Sequence, residues 1–244
     1  PPEFHYEQVI PFLSVWSGFK HQNKLYISSV SGISEIDLTT KQNRFLFGIN
    51  DAFDTIGDST IQSMMVDQSN LFWLGSPSTG LYIWDPQRAL ITNYSYKKNH
   101  ENTLSNNQVF ALLADENNDL WVGTINGLNL IDTVSDEVSQ CLVDNQSEST
   151  YTEGNVYEIY ERDNNHLWLS TYKGLLLFDK ETKHRQPLPF NDATNKILEN
   201  ADSLKHVDNQ FIWNATEKVF SRVDINTGEI VEIDSVYQAI GFNN

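Results

Sequence analysis

A single cysteine, Cys141, rules out an intrachain disulfide and any metal site built from thiolates. It falls in a stretch that reads as an outer strand, where an inert thiol is expected. No run of 18 apolar residues is present, so no membrane-spanning helix is expected, and the start, Pro1-Pro2-Glu3-Phe4, lacks the basic and apolar regions of a signal peptide. Cations are scarce. Sixteen Lys and Arg face 33 Asp and Glu, a formal charge of −17 that repels polyphosphate chains and anionic lipid, so neither nucleic acid nor a membrane surface is an expected partner.

Signs of catalysis are also missing. There is no Gly-x-Ser-x-Gly elbow, no His-Glu-x-x-His and no Gly-rich phosphate loop. The six histidines (5, 21, 100, 166, 184, 206) are scattered singly, which argues against a metal site, and arginine, with five residues, is scarce for a polysaccharide-cleaving centre. No cofactor, metal or enzymatic activity is expected. Asp115-Glu116-Asn117-Asn118-Asp119 has the acidity of a calcium loop without its Gly and distal Glu, and reads as a hairpin turn.

What the chain does contain is a repeat. The segment Leu120 to Asp132 recurs at Leu25 to Asp37, Phe72 to Asp85, Leu167 to Asp179 and Ile212 to Asp224. The closing aspartates are 48, 47, 47 and 45 residues apart. An aromatic (Tyr26, Trp73, Trp121, Trp168, Trp213) leads each copy, followed two residues on by a small residue (Ser28, Gly75, Gly123, Ser170, Ala215) and then a hydroxyl residue.

Each period holds four short apolar or alternating bursts bounded by Asn, Asp, Ser and Gly, with no helical periodicity. In the third copy these are A (Val109 to Ala114), B (Leu120 to Thr124), C (Leu128 to Ile131) and D (about Glu137 to Val143). Four antiparallel strands repeated every 40 to 50 residues are the pattern of propeller blades, each needing neighbours to cover both faces. The expected fold is therefore an all-β propeller in one domain, 1–244, with blades at 14–48, 61–98, 109–144, 156–190 and 201–234 and flanking strands at 1–13 and 235–244. The aromatic on strand B should lie between blades, and the small residue after it should admit a neighbour. Gly32, Gly80, Gly127 and Gly174, each before strand C, should carry positive φ; Val219 stands there in the fifth copy. The closing aspartates, repeated whatever the loop, should cap turns.

Asn102-Thr103-Leu104-Ser105-Asn106-Asn107-Gln108-Val109, followed by Leu120-Trp121-Val122-Gly123-Thr124 and Gly127-Leu128, resembles the two-component regulator propeller repeat. The resemblance implies an extracytoplasmic, periplasmic sensor domain of a bacterial hybrid histidine kinase or diguanylate cyclase, followed in such proteins by a β-sandwich, a transmembrane helix and a signalling module. It also implies seven blades, whereas 244 residues hold about 5.2 periods. Either the ring is small and closed by a strand around Phe4 to Gln8, or the chain is part of a larger propeller; the second fits better. An open ring would expose apolar blade faces and should form a homodimer, through the propeller or downstream modules.

A binding site should lie where non-repeating loops converge, at the B to C turns and the D to A linkers. The ligand-binding candidates are Asn126, Tyr172 and Lys173 on the turns and His100, Asn107 and Asn155 on the linkers. Amides beside an exposed aromatic suit a sugar, and relatives of the resembled family in gut bacteria sense glycan fragments. The expected function is ligand-driven signal input, the ligand being a small molecule or oligosaccharide; the alternatives are an interaction scaffold and a propeller glycan lyase or hydrolase.

Overall fold

The computed structural model describes residues 15–29, 32–48, 60–67, 69–85, 90–117, 119–143, 154–199, 204–207, 210–215 and 220–232. Among the described residues twenty strands form five four-stranded antiparallel sheets, each with its strands in chain order. The first holds β1 (Val15–His21), β2 (Lys24–Ser29), β3 (Gly32–Asp37) and β4 (Asn43–Gly48). The second holds β5 (Ser63–Val66), β6 (Phe72–Gly75), β7 (Leu81–Asp85) and β8 (Leu90–Tyr94). The third holds β9 (Val109–Ala114), β10 (Leu120–Thr124), β11 (Gly127–Ile131) and β12 (Val138–Val143). The fourth holds β13 (Val156–Asp163), β14 (His166–Thr171), β15 (Gly174–Asp179) and β16 (His184–Gln186). The fifth holds β17 (Leu204–Val207), β18 (Phe211–Ala215), β19 (Phe220–Asp224) and β20 (Ile230–Glu232). This is a β-propeller architecture, and the strands of the third copy begin and end within a residue of the expected positions. The flanking strands expected at 1–13 and 235–244, and Val219, lie outside the described residues.

Four apolar clusters hold the sheets together, one at each successive junction. Tyr26 and Ile33 meet Met64 and Leu74 between the first and second sheets, and Trp73 and Leu81 meet Val109 and Val122 between the second and third. Trp121 and Leu128 meet Val156 and Leu169 between the third and fourth; Trp168 and Leu177 meet Ile212 and Val223 between the fourth and fifth. The strand-B aromatics are thus the mortar between blades: Tyr26, Trp73, Trp121 and Trp168 are all buried. The small residue two positions on is explained by close approach. A Cβ on Gly123 would sit 2.8 Å from Val156 Cγ1, and one on Gly75 would sit 2.7 Å from Val109 Cγ1. Strand A of the third and of the fourth blade therefore plugs into strand B of the blade before it.

The turn glycines take φ of 123°, 101°, 139° and 107° at Gly32, Gly80, Gly127 and Gly174. At Gly80 a side chain would also meet the Tyr94 carbonyl at 2.2 Å, so both conformation and space require glycine.

One element departs from the expectation of no helix. α1 (Asp192–Glu199) follows the fourth blade. Asn191 Oδ1 accepts from Thr194 N–H (3.0 Å), an N-cap, while Leu198 is buried in the junction to the fifth blade. Eight residues are too few to register as helical periodicity in a window of ordinary length, about 11 to 18 residues.

Candidate functional site

The strand registers bring the B–C turns and D–A linkers to one end of the molecule. Thr124 pairs with both Val109, which opens strand A, and Gly127, which opens strand C, while Gly127 pairs with Val143 at the close of strand D. Thr171 does the same with Val156 and Gly174 in the fourth blade. Asn126, Tyr172 and Lys173 on the turns, and Asn107 and Asn155 just before strand A, therefore lie at this end.

Their local roles differ. Asn107 Oδ1 accepts from Tyr96 N–H (2.6 Å), and its carbonyl accepts from Gly80 N–H (3.0 Å), tying the linker to the second blade. Asn126 N–H donates to Thr124 Oγ1 (3.2 Å), and its amide nitrogen donates to the Ser105 carbonyl (3.5 Å). Asn155 is fully buried and donates from Nδ2 to the Tyr157 hydroxyl (3.2 Å). His100 is exposed, with its carbonyl accepting from Thr103 Oγ1 (3.0 Å). Tyr172 and Lys173 form an exposed two-residue turn, and Lys173 N–H donates to Thr171 Oγ1 (3.3 Å).

A hollow of about 440 Å³ opens beside that turn, lined by Thr171, Lys173, Leu175, Leu176 and the stretch from Arg185 to Leu188. Its cause is a shortened outer strand. In the third blade strand D pairs along all of strand C, down to Gly127. In the fourth the ladder stops at Leu177 opposite Gln186, and Pro187, which has no N–H to give, follows. No described strand covers the outer side of 174–176, and the groove remains. It combines an apolar floor, the stems of Lys173 and Arg185 and the Gln186 amide, a mixture suited to a polar ligand with one apolar face. Arg185, Gln186 and Leu188 escaped sequence reasoning because a truncated strand leaves no composition signal.

A second hollow, of about 210 Å³, is walled by first strands: Ser17 of β1, Ser63 and Met64 of β5, Phe110 to Leu112 of β9 and Tyr157 to Tyr160 of β13. This hollow lies where the first strands of four blades converge.

The shifted titratable groups belong to the scaffold. Asp115 Oδ1 accepts from the N–H groups of Asn117 (3.0 Å) and Asp119 (3.1 Å), and Oδ2 accepts from Trp121 Nε1 (3.0 Å) and Lys180 Nζ (3.2 Å). The acidic turn is therefore a hairpin, closed by Asp115 N–H on the Asp119 carbonyl. Burial would raise the Asp115 carboxyl, but the Trp121 and Lys180 hydrogen bonds and the ammonium charge hold it below the usual carboxylate range. Asp119 goes the other way, raised by burial and by the charges of Asp115 and Asp132. In the first blade Glu35 meets Lys24 (3.0 Å) and Arg44 (3.5 Å), and burial together with the bond to Glu35 pushes Tyr26 up to about 12. Cys141 is half-buried in β12 with its thiol raised by burial, as an inert cysteine should be. Among the described residues no three His, Cys, Asp or Glu side chains come together as metal ligands, and no helix is long and apolar enough to cross a membrane.

Residues 103–126 match the family model for the two component regulator propeller. The structure shows what that motif does: Leu104 is buried between blades, Ser105 N–H donates to Asn129 Oδ1 (2.8 Å), and Ser105 Oγ meets Thr124 Oγ1 (2.9 Å). No curated protein matches the chain. Among solved structures it is similar to the extracellular domain of a protein described as a hybrid two component system of B. thetaiotaomicron, at TM-score 0.69 and 16% identity over 94% of this chain and 31% of that one. An extracellular domain described as belonging to a one component system of the same organism aligns over 93% of this chain and 42% of its own, at 15% identity and TM-score 0.42, too loosely to carry weight. At such identity the first likeness establishes the fold. The chain spans about a third of that neighbour's length.

Proposed function

We propose that this chain is a non-catalytic signal-input domain, periplasmic in location, that binds a small molecule or oligosaccharide at its B–C end and passes the signal to a downstream kinase or cyclase. The observation carrying this reading is the shared fold with an extracellular two component system domain over 94% of the chain. The groove beside Tyr172 and Lys173 supports it, because it breaks the repeat at the end where non-repeating loops gather. A ligand can signal only by contacting two states of the domain differently, and a groove between a blade and the helix-bearing connection to the next is suited to that. Thermal unfolding of the purified chain against a panel of oligosaccharides tests the reading. At least one should raise the midpoint, by about 2.7 kcal/mol of stabilisation at a hundred times its Kd, and Tyr172→Ala with Lys173→Ala should erase the effect. A panel without any stabilising sugar or small metabolite would remove the support for direct sensing.

A second reading, a surface for self-association, rests on Val15, Trp16 and Phe45, each about half exposed on the first blade. Sedimentation velocity over a range of concentrations should show a monomer–dimer equilibrium that Trp16→Glu weakens; a monomer at all concentrations counts against it.

A further inference from the structure

We propose that the groove on the fourth blade takes a short extended peptide as an added strand, pairing with the open edge of β15 at Leu175. This names the ligand class of the groove already described and rests on its reading as the sensor's binding site.

The backbone carries the argument. In an antiparallel ladder successive residues turn their N–H and C=O groups to alternate sides, so every second residue of β15 faces away from β14. Thr171 and Gly174 close a two-residue turn, which fixes the phase: Gly174 and Leu176 face β14, while Leu175, Leu177 and Asp179 face outward. The Asp179 carbonyl agrees, accepting from Lys183 N–H (3.0 Å) across the outer turn. Leu177 and Asp179 find partners in β16, namely Gln186 and His184. Leu175 does not. Among the described residues none forms a hydrogen bond to its N–H or C=O. Leu175 is only 4% exposed, and backbone groups at such depth are almost always paired.

The third blade shows what is missing. There Leu128, the equivalent of Leu175, pairs with Leu142 of β12, and Gly127 pairs with Val143. In the fourth blade Pro187 has no N–H and the chain leaves the ladder, so a gap of three residues, about 10 Å of strand, lies beside 174–176. Pro187 and Leu188 line the groove without entering the ladder. The group that answers a donor and an acceptor on one strand residue is another extended backbone, which gives one N–H···O=C bond and receives one. A sugar can meet the leucines of the groove but presents no N–H and carbonyl at strand spacing. Leu176 and Pro187 give apolar contact to the peptide's side chains, and the Gln186 amide adds a donor and an acceptor.

The probe is the capped tripeptide acetyl-Ala-Leu-Val-amide, patterned on residues 141–143 with alanine in place of cysteine. The control is the same peptide N-methylated at its leucine, which deletes the N–H that the Leu175 carbonyl would accept. Titration of the isotope-labelled full chain into millimolar peptide, followed by NMR, should show the probe binding about tenfold tighter than the control, the size of one hydrogen bond. Exchange of the Leu175 amide hydrogen should slow with the probe and not with the control. Equal affinities, no binding of either peptide, or binding that leaves the Leu175 amide unchanged would each overturn the proposal, and all are read on the unmutated chain. An oligosaccharide that stabilises the chain while the peptide does not bind sinks this inference alone. Peptide binding without any effect on a full-length signalling protein sinks the sensor reading alone.

Discussion

At the scale of single residues, the blades are pinned by aspartates that do two things at once. Asp67 and Asp115 each accept turn N–H groups on Oδ1 and the indole Nε1 of a tryptophan six residues on, at 2.8 and 3.0 Å, on Oδ2. In the fourth blade the residue six before the tryptophan is Arg162, whose guanidinium lies 5.1 Å over the Trp168 ring. Trp168 Nε1 is then buried without a partner. Trp121→Phe should therefore cost more than Trp168→Phe, by about 1–3 kcal/mol, because only the first breaks a made bond to a buried carboxylate, whose Oδ2 then keeps Lys180 alone; urea midpoints of the two variants decide this, and equal losses would refute it. Lys180 reaches across from the fourth blade to Asp115, with side chains 9% and 2% exposed. Lys180→Met should lose about 3–5 kcal/mol by leaving that carboxylate buried without its cation, and a loss below 1 kcal/mol in urea titration would show that water replaces the ammonium. Sequence reading placed the acidic turn correctly but could not see Lys180, because a contact between blades 65 residues apart leaves no local pattern.

At the scale of elements, the repeat was legible because its spacing constraints are local. Aromatic, small residue, hydroxyl and turn glycine follow one another within one hairpin, and each has a steric or hydrogen-bonding reason, as the third copy shows in Trp121, Gly123, Thr124 and Gly127. The closing aspartates are the clearest case. Asp37, Asp132, Asp179 and Asp224 each accept two N–H bonds from the residues two and three further on. Strand B against the next strand A is the tightest joint. Gly123→Ala should cost about 1–3 kcal/mol by overpacking, since its Cβ would meet both Val156 Cγ1 and the Val156 carbonyl at 2.8 Å. A neutral effect in urea unfolding would mean that the blades can slide apart. What sequence reasoning missed is where the repeat is broken: β16 stops after three residues, α1 follows, and together they create the groove. The turn residues Tyr172 and Lys173 could be named in advance because turns announce themselves, whereas Arg185, Gln186 and Leu188 could not, because the strand that should have covered their neighbours ends early.

At the scale of the whole molecule, two electrostatic effects oppose each other. Among the described residues seven carboxyls, those of Glu35, Asp37, Asp115, Asp132, Asp163, Asp179 and Asp224, are held below their ordinary range, and the Asp119 carboxyl lies above it. For a depressed carboxyl the native state binds its proton less readily than the unfolded chain does. Its stabilisation is thus complete above the unfolded value, about 4, and is lost as the pH falls through the lower native value. The overall charge of −17 acts in the other direction near neutrality, since self-repulsion strains the compact state and is screened by salt. Raising salt from about 10 mM to about 1 M shortens the Debye length from about 30 to about 3 Å, so at pH 7 the urea midpoint should rise with added sodium chloride. Below about pH 4 the protein should lose stability whatever the salt, because the turn bonds are too short to be screened. Asp132→Asn should flatten that acid slope, since an amide oxygen still accepts from Val134 and Ser135 but has no proton to gain. An acid limb unchanged in that variant would place the acid sensitivity elsewhere, with the buried Asp115–Lys180 pair the next group to test in the same way.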